Sequence, residues 1–265
     1  MSRILIVGAS DGIGLELAKA YLEEGNEVCC IARRDCPVAG VTSYRADVAD
    51  EAQRQAALRY LTERDKLPHT FVYSAGTSIC APAEYTKDED MRYLWEVNYF
   101  GFVRMAQALL PHLEQVKGKI VAVGSMAAVA PIPFDAHYSA TKAALNAFAA
   151  VLAEEAKPYG VWVTVVLPGG TATGFSFKRK AYGEEDCGKY YAEAKKAAYT
   201  LGKMEQTGMT PEKCAELMKK HIDGGTGLYY PVGWENGATY ALCKVLPQGA
   251  KDRAIRYLYA TDKNE

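Results

Sequence analysis

The chain has 265 residues, 49% of them hydrophobic and 24% charged, with a formal net charge of −1. That balance suits a globular chain able to bury a sizeable core, and it gives no electrostatic case for nucleic acid or an anionic membrane as the main partner. No apolar run reaches the ~18 residues of a membrane helix, and the first strand signal begins at Arg3, leaving no room for a signal peptide; a cytoplasmic protein is expected.

Arg3–Val7 is a short apolar run of the kind that forms a buried strand. It leads directly into Gly8-Ala-Ser10-Asp11-Gly12-Ile13-Gly14 and then a helical pattern from Leu15 to Glu24. Strand, glycine turn and helix are the context of a dinucleotide-binding loop, whose glycines let the backbone approach a pyrophosphate seated on the helix N-terminus. Gly25-Asn26 closes that helix and Glu27–Ala32 reads as the second strand, ending in Arg33-Arg34. An acid at this position would read the ribose hydroxyls of NAD(H). Two guanidinium groups instead suit a 2′-phosphate, so the cofactor expected is NADP(H) rather than NAD(H).

Val41–Ala46, a helix over residues 49–64, and Phe71-Val-Tyr73-Ser74-Ala75-Gly76 continue the alternation. A helix over 89–110 follows, with Asn98 among apolar residues, where an asparagine needs polar partners. Lys119–Val123 is a strand ending at Gly124-Ser125, and Val161–Leu167 is another, ending at Pro168-Gly169-Gly170-Thr171-Ala-Thr173. This order predicts an α/β fold, a Rossmann-like doubly wound parallel sheet in a single domain, with every candidate residue at a strand's C-terminal end or on the next helix. Residues 3–173 form the expected cofactor-binding and catalytic core. Residues 174–225 contain a charged, aromatic-rich stretch, with mobile helices expected to cover the substrate, followed by a helix starting at Thr210-Pro211. Residues 226–265 hold a short strand, a helix that breaks at Pro247 and a polar tail from Asp262. The seven scattered cysteines contain no CxxC pair, and reduced buried thiols are expected rather than a metal or disulfide framework.

Between these strands stands Tyr138-Ser-Ala-Thr-Lys142. On a helix this spacing sets a phenol and an ammonium one turn apart on one face. A free tyrosine titrates near ~10, and an adjacent cation would pull it down toward usable acid/base chemistry. Ser125 would aim a second hydroxyl at the same point.

Taken together, GASDGIG (8–14), Asp47-Val48, Ala75-Gly76, Asn98, Ser125, YSATK (138–142) and PGGTAT (168–173) resemble the short-chain dehydrogenase/reductase family. The resemblance implies a sheet of about seven strands and a catalytic tetrad of Asn98, Ser125, Tyr138 and Lys142. It also implies adenine contacts from Asp47 and Val48, and a nicotinamide site formed by the segment that contains Pro168, Gly169, Thr171 and Thr173. A homodimer or homotetramer packed through the helices of Asn98 and Tyr138 is implied as well. Val7 and Tyr73-Ser74 depart from the family pattern at two places expected to lie side by side beneath the cofactor.

The activity expected is carbonyl reduction, or the reverse oxidation of a secondary alcohol, by NADP(H). The aromatic-rich segment after Thr173 and the apolar loop Val129–Phe134 favour a hydrophobic small molecule. A 3-keto sphingoid base, a hydroxysteroid and a 3-oxoacyl compound are all open. The alternative from a different class is a non-catalytic NADP(H)-binding sensor.

Overall fold

A computed structural model describes residues 1–259. In chain order it runs β1 (Arg3–Val7), α1 (Gly12–Glu23), β2 (Glu27–Ala32), β3 (Thr42–Arg45), α2 (Glu51–Glu63), β4 (Thr70–Tyr73) and β5 (Ile79–Cys80). Next come α3 (Asp88–Trp95), α4 (Gly101–Val116), β6 (Lys119–Val123), α5 (Ala136–Ala156), β7 (Trp162–Leu167), α6 (Phe175–Lys178) and β8 (Lys180–Ala181). The remainder is α7 (Glu184–Cys187), α8 (Tyr191–Gln206), α9 (Pro211–Gly224), β9 (Tyr229–Pro231), α10 (Trp234–Val245) and α11 (Gln248–Tyr259).

Seven strands form one parallel sheet in the order β3-β2-β1-β4-β6-β7-β9. After their first residue β1, β2, β6 and β7 are buried without interruption, because helices cover both faces and leave no solvent side for polar alternation. On one face Phe102 and Leu109 of α4 and Leu145 and Leu152 of α5 join Leu5, Phe71 and Ile120. On the other, Leu17 and Tyr21 of α1 and Met218 and Ile222 of α9 join Ile6, Val72 and Val121. Each such side chain contributes about 1.5–3 kcal/mol on burial. Helix α9 starts as its sequence predicts: Pro211 occupies the first turn, and the Thr210 hydroxyl accepts from Lys213 N at 3.2 Å.

The helix expected over 89–110 is instead interrupted. Between α3 and α4 lies one π-helical turn, Glu96–Phe100, and α4 continues through Pro111 to Val116. A π turn releases carbonyls from the regular ladder, and here the buried Tyr73 hydroxyl donates to Val97 O at 2.5 Å. A side chain at Gly101 would overlap that phenol. Tyr73 stands opposite Val7 across the β1–β4 pairing, so the two departures from the family pattern do lie side by side. Tyr73 thereby forms an aromatic strut from the sheet to the π turn that contains Asn98.

Residues 174–208 are also more ordered than a pair of mobile helices: β8 pairs in parallel with β5, forming a two-stranded ribbon outside the main sheet. Tyr182, Cys187 and Ala194 bury themselves against Ile79, Ala81 and Leu94. Beyond Pro247 the sequence reading stops too early, because α11 follows; the tail from Asp262 lies outside the described residues. Six of the cysteines are buried and Cys243 is half-buried, all with free thiols.

Candidate active site

The C-terminal ends of the sheet strands open into a cavity of about 510 Å³, within the range of small-molecule sites. Its floor is the turn after β1. Gly8 sits at φ +93°, and a Cβ there would come within 2.6 Å of Ala75 N, so only glycine allows the two strand ends to approach this closely. Gly14 lies behind the loop, where a side chain would overlap Gly8 O, and does not line the cavity. Asp11 precedes α1 without capping it through its side chain, and the first turn contains no acid. The free amides and positive dipole end of α1 therefore face the cavity and fit a pyrophosphate.

At one end the cavity is lined by Arg33, Arg34, Asp47 and Val48. Arg33 donates to the Tyr93 hydroxyl at 2.9 Å, and that hydroxyl donates to Asp47 Oδ2 at 3.0 Å. Arg34 pairs with Asp11 at 3.4 Å. Both guanidinium groups are exposed, with donors to spare for a phosphate. Tyr93 had no sequence signal and belongs to this end. The middle of the wall holds Ser10, Gly12, Ile13, Ala75 and Gly76.

The other end gathers Ser125, Tyr138 and Lys142, beside Pro168, Gly169, Thr171 and Thr173. Ser125 follows β6; its hydroxyl accepts from Ala127 N at 3.1 Å and lies close enough to the Tyr138 phenol to lower its pKa. Lys142 Nζ donates to Val123 O at 2.8 Å and stands 5.7 Å from the Tyr138 ring centroid. Asn98 does not line the cavity; it is fully buried just behind it. Its side chain clamps Thr77, accepting from Thr77 N at 2.8 Å and donating to Thr77 O at 2.9 Å, and reaches Thr141 Oγ1 at 3.1 Å.

Burial dominates the electrostatics here. It pushes the Tyr138 phenol up from its ordinary value; the Ser125 hydrogen bond opposes that rise, while the charges of Asp135 and Glu205 add to it. Burial likewise takes Lys142 down to about 8. The lowering of Tyr138 expected from Lys142 is thus outweighed in the ligand-free chain, since desolvation disfavours both charged forms.

A further group had no signal in the sequence. Buried Asp135, three residues before Tyr138, accepts from Ser78 Oγ at 3.0 Å and from the backbone of Ile79. Arg179 Nε donates to the same Ser78 hydroxyl at 3.0 Å, and its other arm pairs with Glu205, which also accepts from Ser176. Four distant segments meet in this network, so no local spacing announces it. Asp135 and Glu205 line the cavity beyond Tyr138, together with Phe175, Leu201, Met204 and Leu258.

A parallel dinucleotide fold whose cavity runs from a basic end to a Ser–Tyr–Lys end defines an oxidoreductase class that uses a nicotinamide cofactor. Residues 2–182 match the short chain dehydrogenase family, and the chain belongs to that family, whose oxidoreductases act on CH–OH and C=O groups. Among its relatives is a 3-ketodihydrosphingosine reductase of Bacteroides thetaiotaomicron, 30% identical over 225 residues, covering 83% of this chain and 82% of the relative. An NADPH-dependent 1-acyldihydroxyacetone phosphate reductase of Schizosaccharomyces pombe is 35% identical over 177 residues, covering 64% of this chain and 60% of its own length. In structure the chain is similar to a short-chain dehydrogenase from Streptomyces avermitilis, with a TM-score of 0.81 at 27% identity over 98% of this chain and 97% of that one.

Proposed function

We propose that the chain reduces a hydrophobic ketone to a secondary alcohol with NADPH, or runs the reverse oxidation. The observation that carries this reading is the convergence of Ser125, Tyr138 and Lys142 at the far end of a cavity whose near end presents Arg33 and Arg34. The names of the relatives point the same way, toward NADPH and toward ketones on long or polycyclic skeletons.

When bound, the cofactor supplies the hydride that reduces the carbonyl carbon. The glycine loop and α1 hold its pyrophosphate, Arg33 and Arg34 take the 2′-phosphate, and the segment Pro168–Thr173 borders the nicotinamide. Negative charge developing on the substrate oxygen is met by donors already in position, which is where enzymes gain most. The Ser125 hydroxyl orients the carbonyl, and the protonated phenol of Tyr138 gives up its proton to the oxygen. The Lys142 ammonium steadies the resulting phenolate. Asn98 clamps Thr77 and leaves one Oδ1 lone pair for a relay water beside Lys142. Residues 174–208 and α11 cover the substrate, and the apolar side chains they present favour a lipid-like skeleton. Self-association through the outer face of α5, where Ala143, Ala147 and Val151 are exposed, completes the proposal as a homodimer or homotetramer.

The test is Tyr138→Phe. Its kcat on any reducible ketone should fall by roughly 10²–10⁴-fold, the usual contribution of a positioned proton donor, while NADPH still binds. A variant with near-native kcat overturns the assignment.

A further inference from the structure

Beyond Tyr138, the substrate end of the cavity has a defined charge. Two carboxyl groups, Asp135 and Glu205, face it. Among the described residues the cation built in against them is Arg179, whose side chain is 5% exposed and which sits behind the wall rather than on it. Lys178 also reaches the cavity, but it is paired with Asp11 at the glycine loop. Lys142 is held at Val123 O. Counted over the described residues, the wall that a substrate meets past the reacting carbonyl is therefore one negative charge in excess when both carboxyls are ionised.

Tyr259 adds a second observation. It is 7% exposed, lines the cavity from α11, and its phenol lies close enough to Asp135 and Glu205 to feel both charges. It has no hydrogen-bond partner among the described residues. A buried phenol and two carboxyls lining one volume make a polar socket of negative charge, set in an otherwise apolar wall of Leu201, Met204, Ile255 and Leu258.

We infer that Asp135 and Glu205 are specificity-determining residues that select a ketone bearing an ammonium group near the carbonyl, with an apolar chain leading away along α8 and α11. An ammonium brings the donors and the positive charge that the socket lacks, and its bonds to ionised carboxylates are the strong kind. A phosphate in the same place would meet two carboxylates and a phenolic oxygen, and a neutral polycycle would leave the excess negative charge uncompensated. The Asp135 carboxyl, which burial pushes up to about 7 in the free chain, would be drawn into its ionised form by that cation.

The inference deepens the ketone-reductase reading and rests on it for the location of the carbonyl, but it can be tested by binding alone. Two monomeric alcohols of equal chain length, one with an amine on the carbon beside the hydroxyl and one without, would be titrated into the NADP⁺-loaded chain by calorimetry. A third would have a phosphate in place of the amine. The amino alcohol should bind at least tenfold tighter than its amine-free twin, the usual yield of a charged hydrogen bond. That ratio should fall to within about threefold in Asp135→Asn, and likewise in Glu205→Gln. Because Glu205→Gln leaves Arg179 unpaired, retained NADPH binding serves as the check that each variant is folded, and the wild-type ratio stands without any variant. Equal binding of the pair, tighter binding of the phosphate, or a preference that survives both substitutions overturns the inference. Turnover of the matching ketones separates the two proposals: reduction without amine preference sinks this one alone, and amine preference without reduction sinks the activity alone.

Discussion

The two halves of the cavity are built by different means. The end proposed for the cofactor is largely backbone: Gly8 pressed against Ala75, the open first turn of α1, and strand ends held in register by the sheet. The end proposed for the substrate is side chain: a phenol, a hydroxyl, two carboxyls and a guanidinium drawn from α5 and the residue before it, the turn after β4, the segment after α6, and α8. A backbone site tolerates only residues that fit its conformation, so it leaves a sequence signature. A side-chain site needs partners that are distant in the chain, so it tolerates changes that replace the whole set and punishes the loss of one member.

The sharpest break in that contrast is Arg179→Met. Removing this cation leaves buried Asp135 and half-buried Glu205 without its compensation, a loss of up to about 3–5 kcal/mol for a broken buried pair. It should appear as faster proteolysis of residues 174–208, with the NADPH site intact. Gly8→Ala tests the other half. Strain at φ +93° and the overlap with Ala75 should cost roughly 1–3 kcal/mol of stability and abolish detectable NADPH binding in a fluorescence titration. Arg33→Ala is milder, lowering the NADPH-over-NADH preference in kcat/KM by about tenfold, one charged hydrogen bond.

The smallest effect is in the pH profile. Burial depresses Lys142 to about 8, so the folded chain holds the ammonium only below that pH, whereas the unfolded chain holds it to the ordinary lysine value. Two consequences follow. Stability gains from this group as pH rises from about 8 toward that value, and kcat/KM for ketone reduction falls over the same range as the ammonium beside Tyr138 is lost. A reduction rate still climbing well above pH 8 would contradict that role.

This division also explains what could be read from the residues alone. GASDGIG and the Tyr138–Lys142 spacing were legible because a tight turn and one helix face fix residue types at short range. The parallel, doubly wound sheet followed from strands alternating with helices, and its count of about seven strands from the family resemblance. The π turn at Glu96–Phe100 was hidden, since its cause is the Tyr73 strut from another strand. Asp135 belongs to no motif, and Glu205 is one charge among several in α8. Helix α11 was missed because Pro247 reads as a stop, although it only separates α10 from a helix whose Ile255, Leu258 and Tyr259 close the cavity.

The most direct test of the central claim is NADPH oxidation by the purified chain against long-chain ketones with and without a neighbouring amine. NADH runs as the second cofactor and Tyr138→Phe as the blank. The account predicts turnover with NADPH, weaker turnover with NADH and none above background in the blank. Ketone reduction that persists in Tyr138→Phe, or binding of NADPH with no reduction of any ketone, would contradict it.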